Sequence, residues 1–123
     1  YRYLDGEVGR AIERLGPDDL LLVVSAFGME PLSLPKRLID RALGSSGLSG
    51  THERAPDGFL IAFGRSVQPG RLPRSSVLDV TPTLLYFFNL PIGRDMDGYA
   101  RPDIFTSAFT ADRPLTYIPT YER

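Results

Sequence analysis

The sequence predicts a layered α/β fold, and two observations carry that reading: compact apolar runs that read as strands, and stretches of helical periodicity set between them. No internal repeat interrupts the alternation.

From Tyr3 to Leu15, Leu4, Val8, Ile12 and Leu15 fall on one stripe at helical spacing, with Asp5, Glu7, Arg10, Glu13 and Arg14 largely elsewhere. This is the pattern of an amphipathic helix. Gly16-Pro17-Asp18-Asp19 ends it, and Leu20-Leu21-Leu22-Val23-Val24 follows with no alternation, which predicts a strand buried on both faces, as in a parallel sheet. After Ser25-Ala26-Phe27-Gly28 a second, short helix is expected over Pro35 to Leu43, where Leu38, Ile39, Ala42 and Leu43 share a face and Gly44 serves as the stop.

Residues 44–58 are rich in Gly, Ser and polar groups and read as a loop of the length that often carries function. Phe59 to Phe63 is a second compact run, again read as a buried strand. Residues 64–76 form a turn-rich excursion with Pro69-Gly70 as the tight turn. Asp79 to Asn89 carries a helix start signature, with Thr81 as cap, Pro82 at the first helical position, and Leu84, Leu85 and Phe88 on one side. Leu90-Pro91 ends that helix, Asp95-Met96-Asp97-Gly98 makes a turn, and Leu115 to Ile118 is expected as an edge strand.

With 123 residues, 42% of them hydrophobic, the chain is expected to form one unit with no internal boundary. Its 12 Gly and 11 Pro punctuate apolar runs and do not gather into a low-complexity tract, which argues against disorder. Fourteen basic against 15 acidic side chains leave a formal charge of −1, with no long run of either sign, so neither nucleic acid nor a membrane surface is an expected partner. The lack of Cys excludes disulfides and thiolate metal sites but leaves the compartment open. No apolar stretch approaches the roughly 20 residues needed to cross a bilayer. The chain opens at Tyr1, inside an expected helix, as a piece of a longer parent would.

The single histidine, His52, lies in Gly50-Thr51-His52-Glu53-Arg54. A lone loop histidine is usually a surface or hydrogen-bonding residue, and a catalytic metal needs about three ligands converging from separate loops. Glu30, Glu53, Asp57, Asp79, Asp95 and Asp97 stand in no recognised ligand spacing with it, and most are accounted for as turn or cap residues. Asp95-Met96-Asp97-Gly98 echoes a calcium loop without its remaining ligands. Ser25 and Ser49 have no base identifiable beside them and sit in no G-x-S-x-G elbow, so a serine triad is not expected.

The order of motifs is nonetheless distinctive. Leu20 to Gly28, Gly50-Thr51-His52, Asp57 to Gly64 and Ser76-Val77-Leu78-Asp79-Val80-Thr81-Pro82-Thr83-Leu84-Leu85-Tyr86 resemble, in sequence and spacing, the later half of the type I phosphodiesterase/nucleotide pyrophosphatase family of the alkaline phosphatase superfamily. Leu90-Pro91 and Asp95-Met96-Asp97-Gly98 extend the match, which covers about residues 3 to 100. The resemblance implies a partial alkaline-phosphatase-like layered sheet with flanking helices, of which residues 1–123 are a C-terminal portion. In such proteins two metal ions, usually zinc, activate a Thr or Ser nucleophile that lies in the earlier half. The Gly-Thr-His histidine holds one metal, a role that falls on His52 by resemblance alone.

After the first strand the family pattern is Ser-Asp-His-Gly, whose Asp and His bind metal, whereas this chain has Ser25-Ala26-Phe27-Gly28. A methyl and a phenyl group cannot coordinate a metal, and Glu30 is the nearest candidate for a displaced ligand. The expectation is a C-terminal fragment with no catalytic residue of its own, inactive as it stands, with zinc relevant only to the parent. Two alternatives are a fragment of an active metal-dependent hydrolase with a rearranged site, and an interaction or structural module. The expected partner is the missing N-terminal half of the same domain, or a second copy where an apolar face is left uncovered.

Overall fold

The computed structural model describes residues 2–44, 50–52 and 54–122. It is a mixed α/β chain with four α-helices and six short strands among the described residues, grouped into two compact units: Val23–Ile61 forms one, and Tyr1–Leu22 with Ala62–Arg123 forms the other. The strands pair two by two, β1(Leu21–Phe27) with β4(Asp57–Phe63), β2(Glu30–Pro31) with β3(Gly50–Thr51), and β5(Ile92–Gly93) with β6(Tyr117–Ile118).

The two apolar runs become strands as expected, but their direction and burial differ from the expectation. The Gly28 N–H donates to the Pro56 carbonyl at 2.8 Å, Gly58 abuts the Ser25 carbonyl and Gly64 the Asp19 carbonyl. Positions that rise along one strand therefore fall along the other, and the pair is antiparallel. Neither strand is buried on both faces: Val24, Phe27, Phe59, Ile61 and Phe63 are exposed, and β4 alternates exposed with half-buried along its whole length. A uniform apolar run reports that both faces suit an apolar neighbour; it carries no information on strand direction or on whether the neighbour is present.

The helix expected over Tyr3 to Leu15 is α1(Arg2–Glu13), with an Arg10–Glu7 ion pair one turn apart on its surface. The Pro35 to Leu43 helix is α2(Leu34–Ala42), ended by Gly44 at φ 75°, the left-handed conformation that glycine adopts at no steric cost. Within 44–58, β3 pairs antiparallel with β2, Glu30 opposite Thr51 and Pro31 opposite Gly50, and β4 already begins at Asp57; residues 45–49 and Glu53 of that stretch lie outside the described residues.

The described core lies in the unit containing the C-terminal half. Helix α3(Val80–Phe87) buries Pro82, Thr83 and Tyr86 on one face, and Ile92, Ile104 and Phe105 complete the interior. Phe105 stacks on Phe109 at 4.7 Å and on Phe87 at 5.9 Å, with Tyr86 tilted against Phe105 at 5.8 Å. Phe109 is carried by α4(Ser107–Thr110), capped by the Thr106 hydroxyl, which accepts from the Phe109 amide.

The start of α3 corrects the assignment of Thr81 as cap with Pro82 at the first helical position. The helix is entered through a 3-10 turn, Val77–Asp79, whose cap is Ser76: its Oγ accepts from the Leu78 amide, and the Asp79 carboxylate accepts from the Ser76 amide. Pro82 sits inside the first turn, where its missing N–H leaves no hydrogen bond unmade. At the other end Asn89, φ 57°, closes a Schellman motif, with the Leu90 amide on the Leu85 carbonyl and the Asn89 amide on the Tyr86 carbonyl. Pro69-Gly70 makes no hydrogen-bonded turn; the turn in that segment is earlier, from the Gly64 carbonyl to the Val67 amide. The expected edge strand is β6, two residues long and parallel to β5. No helix among the described residues is long and apolar enough to cross a membrane.

Candidate functional site

The candidate site lies in the Val23–Ile61 unit, where β1 ends at Phe27. The Ser25 hydroxyl donates to the Phe27 carbonyl at 2.8 Å, which holds the strand end in its turn. The β2–β3 pairing then brings Gly50-Thr51-His52 back beside it. His52 meets Phe27: the two rings stack with centroids 4.8 Å apart and planes inclined by 30°. Across the same turn the Arg54 amide donates to Glu30 Oε1 at 3.1 Å, and the Gly28 amide to the Pro56 carbonyl. His52 is thus brought to Phe27 and Glu30, which lie three residues apart, by the short β2–β3 pairing.

What the gathered groups can do follows from their atoms. The phenyl ring of Phe27 and the methyl of Ala26 offer no lone pair. His52 offers one ring nitrogen to a metal, and Glu30 already accepts a backbone hydrogen bond through Oε1. Among the described residues no three or more His, Asp or Glu side chains come close enough together to hold a metal ion. The donor set of the described residues does not fit a dinuclear zinc centre. Ser25 directs its hydroxyl at the Phe27 carbonyl; Ser49 and Glu53 lie outside the described residues.

Of the other carboxylates that the sequence singled out, Asp57 opens β4 in the same unit, and Asp79, Asp95 and Asp97 belong elsewhere. Asp79 is structural: Oδ2 accepts from the Ser76 amide and Oδ1 from the Tyr99 amide, both at 2.9 Å. Thr83 Oγ1 donates to the Asp79 carbonyl at 2.6 Å and accepts from the Arg101 amide at 3.1 Å. Arg101 grips Asp103 through two nitrogens, at 2.9 and 2.6 Å, and its Nη1 lies 3.9 Å from Asp79. The hydrogen bond from Arg101 holds the Asp103 carboxyl below the usual carboxylate range, and the same bond raises the Arg101 guanidinium. Asp95 and Asp97 sit in the turn that precedes Gly98. The Arg101 cluster escaped sequence reasoning because no motif announces it: its partners are a backbone carbonyl, the Thr83 hydroxyl, Asp103 two residues away and the distant Asp79.

Comparison with models of known protein families, with curated proteins and with solved structures yields no match.

Proposed function

We propose that this chain is the carboxy-terminal part of a phosphodiesterase/nucleotide pyrophosphatase-like domain that keeps the frame of a metal site and has lost its chemistry. The observation that supports the reading is the Phe27–His52 stack. By resemblance, position 27 and His52 are the places of two metal ligands held on separate loops. Ligands of one centre must converge in space, and these two positions do converge, with a phenyl ring where an imidazole would stand.

A second feature agrees. The segments Ser76–Tyr86 and Asp95–Gly98, both part of the resemblance, pack as one piece: Asp79 caps the helix start and binds the Tyr99 amide, while Gly98 lies so close to the Leu78 carbonyl that a Cβ has no room. These motif residues are accounted for by scaffold geometry alone. The partial layered sheet of that family would be completed by the earlier half of the domain, which would also cover the exposed faces of β1 and β4.

With Ala26 and Phe27 in place of two ligands, a phosphoester bound here would meet neither a clamp on its attacking oxygen nor one on its leaving oxygen. The test is zinc content and hydrolysis of an aryl phosphodiester, for this chain and for the longer protein that contains it, each beside its His52→Ala variant. Absence of stoichiometric zinc and of turnover supports the reading. Zinc and turnover that vanish together in the variant would establish an active hydrolase with a rearranged site instead.

A further inference from the structure

We draw no further inference here: the strongest candidate, the exposed apolar surface of β1, α2 and β4 in the Val23–Ile61 unit, with Val24, Phe27, Leu38, Ile39, Phe59 and Ile61, carries nothing because nothing in the structure shows what covers it.

Discussion

The phenyl ring of Phe27 lies on the imidazole of His52, 4.8 Å from centroid to centroid, at the one place where β1 and the β3 loop converge. Both residues are exposed, so the contact is a modest one, about 1 kcal/mol or less. Its interest is chemical: a ring without a donor atom stands against the single histidine.

Adding a donor should therefore change metal binding with little effect on folding. Phe27→His places a second imidazole beside His52, and a gain of zinc affinity of at least about tenfold over the unaltered chain is expected by calorimetric titration. Adding His52→Ala to that variant should remove the gain.

Asp79 is expected to matter for stability. Its carboxylate accepts from the Ser76 and Tyr99 amides, so Asp79→Ala removes a cap and a long-range tie together. A loss of about 2 kcal/mol is expected in urea unfolding, with Asp79→Asn intermediate because an amide oxygen still accepts one of the two bonds.

Gly98→Ala should cost more than its size suggests. The glycine is buried, and a Cβ there would overlap the Leu78 carbonyl at the entry to α3. The backbone must move to admit it, and a loss of roughly 3 kcal/mol or failure to fold is expected in thermal unfolding.

Two groups make pH-dependent contributions to stability in opposite directions. Asp103 titrates below the usual carboxylate range because Arg101 donates to it, so its contribution is present above about pH 4 and is lost as pH falls through its folded value. Tyr86 titrates above the usual phenol range because burial disfavours its anion, an effect partly offset by the charge of Arg113. Its contribution is present below about pH 10 and is lost as pH rises past its folded value. Asp103→Asn should flatten the acid limb of the urea midpoint. Tyr86→Phe should flatten the alkaline limb, at a cost near neutrality of about 1 kcal/mol for the lost bond to the Arg113 carbonyl.

The elements that the sequence made legible are those whose signals are local. The stripe Leu4, Val8, Ile12, Leu15 and the Gly44 stop mark α1 and α2 because periodicity and a left-handed terminator are properties of a few neighbouring residues. The cap of α3 was misplaced because Ser76 acts through an intervening 3-10 turn, farther upstream than a simple cap. Strand direction was not legible: residues 20–24 and 59–63 are apolar throughout, and an unalternating run fits either direction. The two-residue pairings β2–β3 and β5–β6 are too short to leave a pattern. Of the candidate site, the stacking of Phe27 on His52 was not legible, because it depends on the Glu30–Thr51 pairing, which no local signal encodes.

The central claim is that the site around His52 no longer holds the metal chemistry its frame suggests. The most direct measurement is zinc content together with aryl phosphodiester hydrolysis for this chain, and for any longer protein in which it is embedded, purified without chelator and compared with the His52→Ala variant. No stoichiometric zinc and no turnover in either is the expected result; zinc and turnover in the unaltered protein, both lost in the variant, would contradict it.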